Sequence, residues 1–359
     1  LSACASAPSN GRSPTRAPTA AAEAPASLQP PPALRAQGVP PLPQRLSDTG
    51  LFVPGTTTVR AEHIAFSPQY PLWSDGTGKR RWLSLPPGAS IDASKPDAWD
   101  FPVGTKLWKE FSYGRSVETR FVERLADGSW RFAAYVWNEQ GTDAELAPPR
   151  GTAIAVASAP GGRYAVPGRL DCLACHDGGA TPVLGFSALQ LSPDRDPLAP
   201  HADAKTPQLA DLRSLAARGV IRNLPQRLLE NPPRVAAASP TARAALGYLH
   251  GNCGHCHNDS GALASLDLAL AQQAAAPQAS AERTLQSLLG HASRFRPHDG
   301  SQSKRLVAGS DADSVLAVRM KTANPMARMP PLGVKVSDSE AIALIERWIK
   351  TDLPTVEEK

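Results

Sequence analysis

Four of the five cysteines fall into two copies of one pattern, Cys172-Leu-Ala-Cys175-His176 and Cys253-Gly-His-Cys256-His257. The fold must bring each trio of side chains to one guest, which constrains this chain more than any other feature. Cys-x-x-Cys-His is the attachment pattern for c-type haem. Two thiols at this spacing can add across the two vinyl groups of one porphyrin, and the adjoining histidine offers an imidazole nitrogen to iron. The expected cofactors are two covalently bound haems c. Cys172, Cys175, Cys253 and Cys256 attach them, and His176 and His257 are the proximal ligands. A zinc site built from both Cys-x-x-Cys pairs would not require a histidine directly after each second cysteine. A thioredoxin-like redox pair would want a βαβ context, which is absent.

Each iron has a sixth position to fill. The chain contains three methionines, Met320, Met326 and Met329. Arg328-Met329-Pro330-Pro331-Leu332-Gly333 resembles the axial-methionine loop of class I cytochromes c, whose prolines hold a soft thioether on the iron. Met329 is the expected sixth ligand of the second haem, with Met326 its main competitor. For the first haem no methionine lies before residue 320. Its candidates are His201, His63, a methionine from the other domain, a lysine such as Lys109, or no protein ligand.

Leu1-Ser2-Ala3-Cys4 matches the end of a bacterial lipoprotein signal, so Cys4 is the expected lipidation site. Residues 1–45 are dominated by Ala, Pro, Ser and Thr. Such a composition cannot repay its ordering entropy and reads as a disordered tether. Residues 46–235 read as a β-rich domain with the first haem motif and a loop-rich extension. Strands are expected over Arg80–Leu85, Thr105–Phe111, Val117–Leu125, Trp130–Trp137 and Ala153–Ala157. Asp127-Gly128 supplies hairpin turn chemistry. In the third of these strands Val117, Thr119, Phe121 and Leu125 take one side, and Glu118, Arg120 and Arg124 the other. Six of the seven tryptophans fall between Trp73 and Trp137, where core filling is their expected role.

Residues 236–359 read as a class I cytochrome c-like domain. One helix is expected at Gln208–Arg218, before that boundary. Ser239-Pro240 then opens another that runs to about His250. Ser337 and Glu340 suggest a capping box for an amphipathic terminal helix. The expected fold class is α+β and multidomain: an antiparallel β-domain bearing a haem, followed by an all-α class I cytochrome c domain. Net charge is +5, a mild bias that fits an acidic protein or anionic surface. With no basic block interleaved with aromatics, no nucleic-acid partner is expected. No run of ~18 apolar residues offers a transmembrane helix.

Several segments recur in order in predicted dihaem c-type cytochrome lipoproteins: Tyr70-Pro71-Leu72-Trp73-Ser74-Asp75-Gly76, Phe101 to Phe111, Glu118-Thr119-Arg120, Asp171 to His176, Val183 to Phe186 with Gln190-Leu191, and Asn252 to His257. The chain resembles that family over roughly residues 46–352. It is also similar to the cytochrome portions fused to some quinoprotein sugar dehydrogenases. The first domain alone is loosely similar to cytochromes P460 and β-type cytochromes c′, which keep an open distal iron face. The resemblance implies an electron-transport lipoprotein on the periplasmic side of a Gram-negative-type envelope, lipid-anchored at the outer membrane. It would pass single electrons between redox proteins such as a quinoprotein dehydrogenase, another cytochrome or a terminal oxidase. The alternative is an enzyme whose open first haem converts peroxide, nitric oxide or hydroxylamine. A third reading is a docking module within a larger assembly.

Overall fold

The Asp127-Gly128 turn organises the first half of the molecule. In the computed structural model, which describes residues 40–296 and 302–353, Gly128 takes a positive φ of 82° and the Asp127 carboxylate accepts from Ser129 N at 2.9 Å. This turn joins two long antiparallel strands, the centre of a six-stranded antiparallel sheet. The strands before it are β1 (Ile64–Ala65), β2 (Gly78–Ser84), β3 (Ile91–Asp92), β4 (Lys106–Tyr113) and β5 (Arg115–Arg124). After it come β6 (Trp130–Trp137), β7 (Ala144–Leu146), β8 (Thr152–Ala155), β9 (Arg163–Val166) and β10 (Ile221–Arg222). The large sheet has the order β1-β2-β4-β5-β6-β7, while β8 pairs with β9 and β10 with β3.

The sheet is covered on both faces. Trp82, Trp108, Phe121 and Ala133 lie directly opposite one another on successive strands. They form one face, packed with Leu46, Leu51 and Phe52 of the preceding segment. The next row along the strands belongs to the other face and reads Arg81, Lys109, Arg120, Ala134. The charged side of β5 is therefore covered as well, and Glu118 is fully buried at 0% exposure. Its carboxylate accepts from Arg120 Nε at 2.8 Å and from the Tyr164 hydroxyl.

The α-helices are α1 (Arg169–His176), α2 (Leu212–Ala217), α3 (Arg227–Glu230), α4 (Pro240–Asn252), α5 (Pro277–Leu288), α6 (Val315–Lys321) and α7 (Ser339–Thr351). Ser239 caps α4, accepting from Ala242 N at 3.0 Å, with Pro240 in the first turn. The cap of α7 is Asp338 rather than Ser337: its carboxylate accepts from Ala341 N at 3.1 Å.

The expected all-α second domain is not seen. The sheet dominates the architecture, and the helices past residue 236 are short and share its core. Leu83 and Phe101 belong to the same hydrophobic cluster as Leu246, Leu249, Ile345 and Trp348. The reason lies in α4, where every residue from Ala242 to Leu249 is buried. A helix buried all round needs cover on every side, and α7 supplies only part of it.

The remaining cover comes from the segment before β2. Tyr70 lies across Gly247 and Gly251, where a Cβ would stand 2.0 Å from the Tyr70 ring and 2.4 Å from its carbonyl oxygen. Gln190 holds the Tyr70 backbone from both sides, and Asn252 accepts from Trp73 N at 2.7 Å. Residues from Pro41 onward accordingly form one compact unit. Most of the expected tether, with Cys4, lies outside the described residues. Its last part edges the sheet, where Gln44 O accepts from Leu146 N at 2.9 Å. Among the described residues no helix is long and apolar enough to cross a membrane.

Candidate functional site

The first motif occupies α1, a helix that buries none of its residues. Leu170 is 79% exposed. The helix begins where Gly168 N donates to the Asp171 carboxylate at 2.9 Å. At its other end His176 lies against Phe132 of β6, ring centroids 4.9 Å apart. His176 Nδ1 donates to Pro182 O at 2.6 Å, because a carbonyl can only accept. That bond selects the tautomer whose Nε2 carries a bare lone pair, the form in which a histidine ligates a metal. Burial pulls its pKa down to about 4, so the imidazole is neutral at physiological pH.

The second motif follows α4 directly. Cys253 N donates to Leu249 O at 2.9 Å, and His257 N to Cys253 O at 2.8 Å, closing a tight turn. Gly254 is required there, since a Cβ would meet Ala271 Cα at 2.9 Å. His250 is committed elsewhere, its Nδ1 accepting from Gln272 N at 3.0 Å. His257 Nδ1 has no hydrogen-bond partner. Asn258 fastens the two motifs together. Its amide donates to Gly178 O at 2.8 Å and to Gly254 O at 3.0 Å.

A cavity of about 540 Å³ opens between these elements, lined by Cys175, Cys253, Cys256, His257 and Met329, with apolar walls that include Leu268 and Phe295. The three methionines separate cleanly. Met320 is buried in the core at 7% exposure and Met326 stands in solvent at 89%, whereas Met329 faces the cavity. The loop bearing Met329 is tied on several sides. Met329 N donates to Arg319 O at 2.9 Å, Arg328 reaches Val334 O at 2.8 Å, and Asp75 accepts from Lys335 N at 2.8 Å. An apolar space with facing thiols, the His257 imidazole and a thioether suits a covalently held haem, whereas Cys172 and His176 of the first motif lie outside its lining.

The two histidines considered for the first iron are otherwise engaged. His201 places Nε2 at 2.8 Å from Asp338, a hydrogen bond at the start of α7, and Nδ1 at 3.4 Å from Glu340. Its ring also lies 4.6 Å from Trp73. His63 bonds Gly50 O at 2.9 Å and stacks on Trp108, on the face of the sheet opposite Phe132 and His176. Neither lines the cavity.

Ligating atoms of Cys175, His255 and Cys256 lie within 4.8 Å of one another. A structural zinc site needs four ligands, and among the described residues no fourth joins this group. It also takes only one cysteine from each motif. Sequence spacing offered no sign of Asn258, whose part becomes visible only when the two turns meet. Compared with family models, curated proteins and solved structures, the chain matches none.

Proposed function

We propose that this protein is a dihaem c-type cytochrome that carries single electrons between redox partners in a bacterial envelope. The observation carrying the reading is a cavity lined by Cys253, Cys256 and His257 of the second motif, Cys175 of the first, and Met329, with Asn258 tying the two motifs together. Cys172 and Cys175 would hold one haem and Cys253 and Cys256 the other, with His176 and His257 as proximal ligands. Met329 would be the sixth ligand of the second. A haem in this setting supplies a one-electron ferric/ferrous couple whose potential follows its axial ligands and burial. The chain's own contribution is to fix geometry. Pro182 O orients His176, the ties from Asp75, Arg319 and Arg328 hold Met329 in place, and the apolar walls exclude water.

The test is mass spectrometry of the denatured protein produced with haem-attachment machinery. Two added haem masses are expected, and Cys253→Ser with Cys256→Ser should remove one of them. Loss of all haem into acidified organic solvent would sink the reading. On the same reading Cys4 is diacylated and anchors the protein on the periplasmic side of the outer membrane. Cys4→Ala should then release it to the soluble periplasm, and membrane fractionation checks this.

One observation favours the enzyme as a second reading: His63 and His201 are both engaged away from the first motif. Carbon monoxide added to the reduced protein separates the two. A carrier with both irons six-coordinate gives no spectral change, whereas binding to half of the haem supports an open catalytic iron.

A further inference from the structure

We propose that the cationic row Arg81–Lys109–Arg120, together with Lys79, seats the two propionate carboxylates of the first haem. This deepens the cytochrome reading and rests on it. The starting point is the sheet register. Arg81 lies opposite Lys109, Lys109 opposite Arg120, and Arg120 opposite Ala134. Three cations directly opposite one another on adjacent strands repel, and Lys79 adds a fourth two residues along the same face. Such a row survives inside a protein only with anions against it.

The chain provides too few. Glu118 serves Arg120 and Tyr164. Asp203, 45% exposed, stands 3.7 Å from Arg81 and also accepts from Ser67 Oγ at 2.5 Å. Lys109 has no carboxylate at ion-pair distance among the described residues, and its ammonium lies 4.9 Å from the Phe111 ring centroid. Lys79 reaches only the Thr77 carbonyl, at 3.1 Å. Asp338 also acts on Lys79 but is held by His201 and Ala341 N. Arg195, another cation near Arg81, is spent on the carbonyls of Ser67 and Pro68. Counted together, the five cations Arg81, Lys109, Arg120, Lys79 and Arg195 outnumber the three carboxylates Glu118, Asp203 and Asp338 by two.

Arg81 shows the deficit most clearly. Its side chain is 6% exposed, and its Nη1 makes no hydrogen bond among the described residues, having only the Asp203 carboxylate 3.7 Å away. Burial pulls the pKa of Arg81 down to about 10 and that of Lys79 to about 8, and neighbouring cations add to the effect.

Position supports the same occupant. Phe132, two residues from Ala134 on β6, shares the face of the row and carries the His176 ring. α1 packs on β6. The row thus begins at the strand beneath the first motif and runs to β2, three strand spacings or about 14 Å away. Lys109 and Arg120 both bear electrostatically on His176, and Arg120 on Cys172. A haem fixed at Cys172 and Cys175 brings two carboxylates of its own, which matches the excess.

The test uses the holoprotein and its Arg81→Gln, Lys109→Met and Arg81→Lys variants. Each variant should retain two covalent haems by mass. In Arg81→Gln and Lys109→Met the potential of one haem should fall by the equivalent of a tenfold shift in its ferric/ferrous ratio, about 59 mV for a one-electron couple. Arg81→Lys keeps the charge and should restore most of the loss. Isotope-edited infrared bands of propionates labelled with carbon-13 should move in the first two variants. Two haems with unmoved potentials and propionate bands would overturn the proposal and leave the cytochrome reading standing. Loss of a low-spin signal in Lys109→Met alone, with Arg81→Gln silent, would make Lys109 an iron ligand and overturn it as well. Absence of covalent haem from the unaltered protein would sink both.

Discussion

On the proposed dihaem reading, Met329→Ala is expected to lower the potential of the second haem by on the order of a tenth of a volt or more, within the ~0.8 V that axial ligands command. A thioether is a soft ligand that favours ferrous iron, so its removal favours the ferric state. The first haem should keep its potential, and the ferric methionine–iron charge-transfer band should vanish. The other two methionines make the test sharp. Met326 stands in solvent and Met320 belongs to the core. Met326→Ala should therefore leave the spectrum unchanged. A band that survives Met329→Ala would reject this ligand.

Gly251→Ala is expected to destabilise the protein by about 3 kcal/mol, at the upper end of ordinary overpacking costs. The sign is informative, because glycine to alanine inside a helix normally stabilises by about 1 kcal/mol. Here a Cβ would stand 2.4 Å from Tyr70 O. Tyr70 cannot retreat easily. Gln190 grips its backbone, and its hydroxyl donates to Asp196 at 3.0 Å. The contact joins the segment before β2 to the helix that ends at the second haem motif. A lower urea midpoint with an unchanged m-value, accompanied by reduced haem at the second motif, is the expected result. An unchanged midpoint would show that this junction bears no load.

Several features were legible because their causes are local. Asp127-Gly128 between two apolar runs predicts the β5–β6 hairpin, and Trp130–Trp137 is a strand over the expected residues. Ser239-Pro240 starts α4 as its chemistry demands. Met329 was singled out by the resemblance of its proline-flanked loop to that of class I cytochromes c, and the structure places it on the cavity wall. The α7 cap was misjudged by one residue, since Ser337 and Asp338 are both competent caps and the geometry of the approaching chain chooses between them. The His201 hydrogen bond to Asp338 helps fix that choice.

The larger corrections are non-local. Alternation along β5 divides its residues into two sides, and that division holds from Glu118 to Arg124; Val117, expected beside Phe121, sits at a bulge opposite Phe111 and Ser112 and packs instead with Phe111 and Ala134. Which side meets water depends on what other segments lay over the sheet, and here both are covered. Glu118 thereby becomes an interior group, and the charged face carries a cationic row in which Arg81 is buried and Lys79, Lys109 and Arg120 are half-buried. The separate helical domain failed for the same reason. The apolar spacing of α4 announces a helix, but its burial all round is satisfied by Tyr70, nearly two hundred residues upstream. Hydrogen-bond periodicity and turn chemistry are settled within a few residues of chain. Burial, charge balance and the meeting of the two Cys-x-x-Cys-His turns arise only when distant segments exclude water from one another.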